Sequence, residues 1–278
     1  MTERHQRFHD LHGAGCFVIP NPWDAGSARM MAAAGAQALA TTSSGFAFTL
    51  GRPDMGTITR DEALAHAEAI VAATPLPVSG DFENGFGDDP DTVAETVRLA
   101  AEAGLSGCSI EDTRMTEGNP AYAPDLAAER IRAAAAAARA LKRPFVLSAR
   151  ADGVLNGVYD MDEAIRRVRA FEAAGADCLY IPGPPDMAAL KRMLAAVSKP
   201  VNALAAGRLR DHSVAEFAAA GVRRISVGGQ IARVTHAAIR DCLTAMLRDG
   251  SFEPLKAGMP GKQVEQMLAA GAAGGDNG

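Results

Sequence analysis

Short apolar runs alternate along the chain with longer stretches whose apolar residues recur every three or four positions, and the alternation repeats eight times. The runs lie at 16–20, 36–41, 77–81, 107–111, 145–149, 177–181, 201–204 and 224–227. They show little in–out alternation, as expected of strands in a parallel sheet covered by helices. The stretches between them carry a helical period, for example DTVAETVRLAAEA at 91–103, DLAAERIRAAAAAARAL at 125–141 and MDEAIRRVRAFEAA at 161–174. Several end in a Gly-containing turn before the next strand, as in AAGA at 33–36 and EAAGAD at 172–177. Thr59 and Glu62 have the spacing of a capping box. A carboxylate from 88–91 is expected to cap the helix at 91–103.

Eight such units without a break in composition predict an α/β chain folded as a single (β/α)8 TIM barrel over residues 1–248. An open doubly wound sheet is the alternative. Beyond a helix at 231–247, the linker SFEPLKAGMP and a short helix at 261–270 form a C-terminal helical extension, residues 249–278. The segment 251–270 is expected either to dock on a neighbouring subunit or to lie on its own barrel. The tail GAAGGDNG is expected to be disordered.

Composition narrows the chemistry. A net charge of −5 gives no basic footprint for nucleic acid. No apolar run approaches the roughly 18 residues of a membrane span, and the polar start MTERHQRFHD is not a signal peptide. Four scattered cysteines without a CxxC motif suit a reducing, cytoplasmic setting. No His and Cys cluster at zinc spacing.

Chemistry in such barrels sits at the C-terminal ends of the strands, and there the acids dominate. Asp81 and Glu83 stand two apart at the end of the third strand, Glu111 ends the fourth, and Asp54 lies in the loop after the second. Converging carboxylates repel one another unless a cation lies between them. Oxygen-only ligands suit a hard ion, Mg2+ or Mn2+, so Asp81, Glu83 and Glu111 are the candidate metal ligands. Asp112 is better suited to a cap or an ion pair. Arg150 ends the fifth strand, where its guanidinium can clamp a substrate anion or pair with the acids. Lys142, Lys191, Lys199, Lys256 and Lys262 all fall away from this face, which disfavours Schiff-base chemistry. The GGQ at 228–230 could offer amides to a phosphate or simply allow tight packing. Trp23 could wall the pocket or belong to the core. Cys108 and Cys178 read as buried strand residues.

Taken in order, the segments beginning PNPWDAGSARMM, TTSSGFAFTLGRPD, SGDFENGFGD, SIED, LSARAD and RRISVGG resemble the isocitrate lyase/phosphoenolpyruvate mutase superfamily over about residues 8–245. The resemblance implies a Mg2+-dependent barrel enzyme that makes or breaks a C–C or P–C bond next to a 2-oxo acid or its enolate. It also implies a homo-oligomer, a tetramer or a dimer with the last barrel helix swapped. Asp81, Glu83 and Glu111 match the acidic metal positions, with Glu83 where the family more often has Asp. Asp54 matches a further catalytic acid. Ser44, Gly45 and Phe46, with Ser43 beside them, match the stretch that binds the 2-oxo-carboxylate end. Arg150 matches the arginine that binds the substrate anion and serves catalysis.

The loop after the fourth strand departs from the family. It reads DTRMTEGNPAYAP at 112–124, without the Cys-containing motif of the isocitrate and methylisocitrate lyases or the lysine of the phosphonate mutases. Pro182 stands where the mutases have a histidine. Arg114, Glu117 and Tyr122 are the only loop residues that could replace the missing acid or base, and otherwise read as solvated loop positions. These features lead to an expected Mg2+-dependent carbon–carbon lyase for a small 2-oxo or 2-hydroxy carboxylate. It would work through an enolate, by C–C cleavage or decarboxylation, on oxaloacetate-like or methylisocitrate-like substrates. A P–C bond enzyme, such as a phosphonopyruvate hydrolase or a mutase, and a non-catalytic 2-oxo-acid binder are the alternatives.

Overall fold

The computed structural model describes residues 2–273. Among them are eight strands: β1 (Phe17–Ile19), β2 (Leu39–Ala40), β3 (Val78–Asp81), β4 (Gly107–Glu111), β5 (Val146–Arg150), β6 (Cys178–Tyr180), β7 (Val201–Leu204) and β8 (Arg224–Ser226). Their order in the sheet is β1-β8-β7-β6-β5-β4-β3-β2, and every pair is parallel. Between β1 and β2 the Ala40 N–H donates to the Pro20 carbonyl at 3.1 Å, so the ring is nearly closed. Neighbours in sequence are neighbours in space around the whole ring. This is the predicted TIM barrel; a doubly wound sheet would reverse direction at its middle.

The helices around it are α2 (Ala25–Ala33), α3 (Ser43–Thr49), α4 (Arg60–Ala73), α5 (Pro90–Glu102), α6 (Pro124–Ala140), α7 (Met161–Ala173), α8 (Met187–Ala196), α9 (Val214–Ala220) and α10 (Gln230–Asp249). The capping box of Thr59 and Glu62 opens α4 as expected. The cap expected for α5 does not form: Asp89 takes the N-cap position without a side-chain bond, while Asp88 is held by Tyr122 and Arg114.

Two helices were not legible. The polar start is a helix, α1 (Thr2–Leu11), which plugs the N-terminal end of the barrel. Its Phe8 is fully buried among Phe17, Ile19, Ala38, Val146 and Cys178. A helix with so few apolar positions shows little periodicity, yet one aromatic ring is enough to seat it. The other is α3, a short helix of about two turns shortly after β2, capped by Thr42.

The extension contains α11 (Gly261–Ala273), three residues longer than expected. It lies on α2 of its own chain. Gly271 makes the contact possible, since a Cβ there would stand 2.0 Å from the Arg29 carbonyl oxygen. Residues 271–273, expected to belong to a disordered tail, are therefore helical. The rest of that tail, 274–278, lies outside the described residues.

Candidate active site

The strand ends converge on one cavity of about 200 Å³ at the C-terminal mouth of the barrel. Asp54, Asp81, Glu83 and Glu111 all line it, as does Arg150. Among the described residues no lysine, histidine or cysteine does. The structure thus brings together in one cavity the four acids and the arginine that the sequence singled out.

At the centre stands Arg150, the last residue of β5. Its Nε and Nη2 form a bidentate pair with Asp152 Oδ2 and Oδ1, at 3.1 and 2.6 Å. Its Nη1 reaches Asp81 Oδ1 and Glu111 Oε1, each at 2.9 Å. The guanidinium is therefore engaged by three carboxylates, and its fork faces Asp152 rather than the open cavity. Asp152 was not singled out from the sequence, although it stands two residues beyond Arg150 in SARAD.

Asp81 is tightly positioned. Its Oδ2 accepts from the Ser43 N–H and the Ser43 hydroxyl, both at 2.9 Å, and its Oδ1 accepts from the Ser109 hydroxyl at 3.2 Å. Glu83 has φ +45°, an uncommon backbone for a residue with a Cβ. Its carbonyl accepts from the Glu111 N–H at 2.8 Å, and its Oε1 from the Gly56 N–H at 3.1 Å. This ties the loop bearing Asp54 to the acidic wall. Burial pushes the Glu83 carboxyl up to about 7, with nearby Asp81 and Asp54 adding to the shift. Burial also raises Glu111 and Asp54, and lifts Asp152 to about 6. Too many carboxylates share too little water, so protons are favoured on some of them.

One oxygen of this cluster, Glu111 Oε2, is buried without a hydrogen-bond partner. A native polar atom left this way marks a group that something else satisfies. The surrounding donors are all oxygens, which suits a hard divalent cation. Among the described residues no three side chains converge closely enough to ligate an ion by themselves. Arg150 supplies the positive charge between Asp81 and Glu111 instead.

The 43–46 stretch is less open than expected. Ser43 and Ser44 line the cavity; Gly45 and Phe46 do not. The Gly45 N–H bonds Thr42 Oγ1 and the Phe46 N–H bonds the Thr42 carbonyl. The Phe46 ring lies behind the wall, stacked on His66 at 3.9 Å. In the GGQ turn two of the three amides are already engaged, the Gly228 N–H by Asn21 Oδ1, which also accepts from Val227, and the Gln230 N–H by the Val227 carbonyl. Gly229 serves close packing: a Cβ there would lie 2.4 Å from Ser44 Oγ. Trp23 does not line the cavity, and Cys108 and Cys178 are buried.

None of the three loop candidates reaches the cavity. Tyr122 is fully buried, contrary to the solvated position expected of it. Its hydroxyl donates to Asp88 and accepts from Asn84, and its ring lies between the guanidinia of Arg114 and Arg130. Arg114 pairs with Asp88, and Glu117 faces solvent. Asp112 forms the expected ion pair, with Arg167 at 3.0 Å, and also accepts from the Tyr159 hydroxyl and the Asp152 N–H. It thereby fixes the residue that holds Arg150.

Other wall residues escaped the sequence reading. Tyr180 on β6 lies under Arg150, 5.0 Å from guanidinium carbon to ring centre. Asn202 and Arg224 form the floor. Asn202 lies within β7 and Arg224 opens β8, below the C-terminal strand ends where the chemistry was sought, and only the inward half of the strand alternation would have pointed to them.

Residues 8–247 match the sequence model of the family described as phosphoenolpyruvate phosphomutase. The oxaloacetate decarboxylase of Paraburkholderia xenovorans is 30% identical over 277 residues, covering 96% of this chain and 88% of that protein. A crystal structure from Burkholderia cenocepacia J2315, described provisionally as a lyase/mutase, superposes with a TM-score of 0.93 at 49% identity, covering 97% and 96% of the two chains. The crystal structure of 2,3-dimethylmalate lyase gives a TM-score of 0.84 at 27% identity, covering 95% and 94%.

Proposed function

Because the chain belongs to the phosphoenolpyruvate mutase/isocitrate lyase superfamily, we propose that it is a lyase for a small 2-oxo or 2-hydroxy carboxylate, acting through an enolate. The observation that carries this reading is the cavity itself. It is small and ringed by carboxylates around one guanidinium, and among the described residues it has no lysine, histidine or cysteine in its wall. A site of this kind favours a reaction that needs no dedicated nucleophile or strong base. Decarboxylation of an oxaloacetate-like acid is such a reaction. The C3–C4 bond breaks, CO2 leaves, and the bonding pair becomes the enolate, which is then protonated at C3.

Asp81, with Glu83 and Glu111, would hold Mg2+ or Mn2+. The orphaned Glu111 oxygen and the all-oxygen donor set support this assignment. When bound, the ion would supply positive charge for the oxygen anion that develops at C2. Ser43 keeps Asp81 oriented through two hydrogen bonds. Arg150 stays protonated despite burial because Asp152, Glu111 and Asp81 surround it; it lines the cavity and would offer the substrate anion its positive charge from the wall, with its fork on Asp152. The hydroxyl and N–H of Ser44 would receive the carboxylate end beside Ser43, whose own donors are on Asp81, with Gly45 and Phe46 shaping that wall from behind. Asp54 closes the mouth on the acidic side.

The same family reading extends to assembly. The helix α10 leaves the barrel with Val234, Ile239, Leu243 and Leu247 exposed, and Phe252 follows in the linker. An exposed apolar row of this length favours a second copy as its cover, giving a tetramer or a dimer built on α10. Residues 1–248 would form the catalytic domain and 249–278 an appendage to it. A cytoplasmic setting suits such a metabolic enzyme. Among the described residues no helix is long and apolar enough to cross a membrane.

The test is a Mg2+-supplemented screen of oxaloacetate, methylisocitrate, isocitrate, dimethylmalate and phosphonopyruvate, read by pyruvate, glyoxylate and phosphate release. Turnover of a carbon acid that stops with EDTA, and loss of Mg2+ binding in Asp81→Ala, are expected. Unchanged turnover after either treatment overturns the metal assignment. Phosphate released from phosphonopyruvate alone assigns the P–C reaction instead, and binding without turnover of any acid assigns a binding protein.

A further inference from the structure

The chain has three tyrosines. Two of them commit their hydroxyls to acids: Tyr122 donates to Asp88 Oδ1 and Tyr159 to Asp112 Oδ2, each at 2.7 Å. Tyr180 differs from both. It ends β6 with its side chain buried, and among the described residues it is the one tyrosine in the cavity wall. Its ring centre lies 5.0 Å from the guanidinium carbon of Arg150, and its hydroxyl faces Ser226. Ser226 Oγ already accepts from Asn202 Nδ2 at 2.9 Å, so the Ser226 proton is free for the phenolic oxygen. Among the described residues no carboxylate takes the phenolic proton. A buried tyrosine hydroxyl normally has its donor engaged; that of Tyr180 is left for the cavity.

Position around the barrel gives this proton a use. Asp54, Asp81, Glu83 and Glu111 come from β3, β4 and the segments after β2 and β3, and Ser44 stands beside them. In the reading above, that half of the ring holds the C2 oxygen and the carboxylate end of the substrate. C3 then points toward the other half, β6 to β8, where the wall is Tyr180, Asn202, Leu204, Arg224 and Ser226. Of these side chains the phenol is the one suited to carry a proton to carbon. Asp152, nearby, has both oxygens turned onto Arg150. Burial pushes the Tyr180 hydroxyl up to about 12, while the Arg150 charge and the Ser226 hydroxyl favour the phenolate. The group therefore holds its proton at neutral pH and has a cation beside it when the proton leaves.

We propose that Tyr180 is the proton donor of the site, delivering its phenolic proton to C3 of the enolate. The inference rests on the enolate reading of the cavity and assigns its protonation step. Once CO2 has left, the O–H bond of Tyr180 breaks as the C3–H bond forms. The enolate double bond supplies the electron pair, and the C2 oxygen becomes a carbonyl again. The phenolate stands beside Arg150 and Ser226 until water restores its proton. Asp54, at the mouth on the acidic side, is the rival donor.

Exchange of the pyruvate methyl protons in D2O runs this proton transfer without any carbon–carbon cleavage. It is followed by proton NMR on the full chain with Mg2+, for the wild type, Tyr180→Phe and Asp54→Asn. Alongside it, CO2 release from oxaloacetate is compared with the pyruvate that lactate dehydrogenase can reduce. Phenylalanine keeps the ring in place, and circular dichroism checks the fold. The wild type should exchange pyruvate and release CO2 and pyruvate together. Tyr180→Phe should exchange at least about a hundredfold more slowly, the lower bound for loss of a positioned acid. Its CO2 release should fall much less, with reducible pyruvate appearing after a lag, because the enol leaves unprotonated and the dehydrogenase reduces only the keto form. Unchanged exchange in Tyr180→Phe, equal losses of exchange and CO2 release, or loss of exchange in Asp54→Asn alone overturns the proposal while the enolate reading stands. A wild type that releases CO2 without exchanging pyruvate has no held proton donor, which overturns the proposal likewise. A wild type that does neither overturns the enolate reading with it.

Discussion

Arg150 shows how much one residue can organise. It ends β5, and the strand delivers its guanidinium among acids from β3, β4 and its own following turn. Removing it would leave three carboxylates crowded in a buried space with no cation. Arg150→Ala is therefore expected to destabilise the fold by about 3–5 kcal/mol, the range for leaving buried charge unpaired. Asp152→Asn removes one of three acids and relieves some of their mutual repulsion, so it should cost less, about 1–3 kcal/mol. Urea unfolding of both variants checks the ranking, and an equal or reversed order would show that repulsion among the acids outweighs their attraction to Arg150. Position at a strand end made Asp81, Glu111 and Arg150 legible in the sequence, because barrel topology turns sequence position into spatial convergence. Which acid each guanidinium nitrogen faces was not legible. That depends on the turn after β5, where Asp112 holds the Asp152 N–H, a contact across 40 residues of chain with no local signature.

At the scale of elements, the eight strands and the larger helices followed from periodicity, since each buries a face long enough to show one. The elements that were missed are short or polar. The seven-residue α3 leaves no room for a helical repeat, yet it sets the wall of the cavity through Ser43 and Ser44. The extension was left open between two partners, and its fate depends on Gly271, whose missing side chain lets α11 lie against the backbone of α2. Gly271→Leu should lift α11 from the barrel, because the neighbour in the way is the Arg29 carbonyl rather than a side chain that could rotate. Faster proteolytic cleavage within 251–260, with the far-UV spectrum of the barrel retained, is the expected outcome. Unchanged cleavage would mean that α11 is anchored elsewhere.

Across the whole molecule, the two ends of the barrel respond to pH in opposite ways. At the mouth, burial raises several carboxyls, so these groups favour the fold at lower pH. At the base, histidines do the reverse. His12 is buried; its Nδ1–H donates to the Phe8 carbonyl at 2.8 Å, and its Nε2 faces Arg224. That arrangement requires the neutral ring, and burial, reinforced by the Arg224 charge, pushes its pKa down to about 3. Burial and nearby Arg143 similarly lower His5 to about 4. The unfolded chain takes up a proton on His12 below about pH 6.5, whereas the folded chain does so only near 3. Between those values the unfolded state binds more protons, and the stability contributed by His12 is lost steadily as pH falls. Between pH 6.5 and 5 this amounts to about 2 kcal/mol, at about 1.4 kcal/mol per pH unit for one proton. His12→Gln keeps a donor and an acceptor at the base but cannot titrate. Its unfolding free energy should therefore fall less than that of the wild type over the same interval, while both proteins share the opposing contribution from the mouth. Parallel pH profiles for the two proteins would show that His12 does not couple α1 to the barrel in its neutral form.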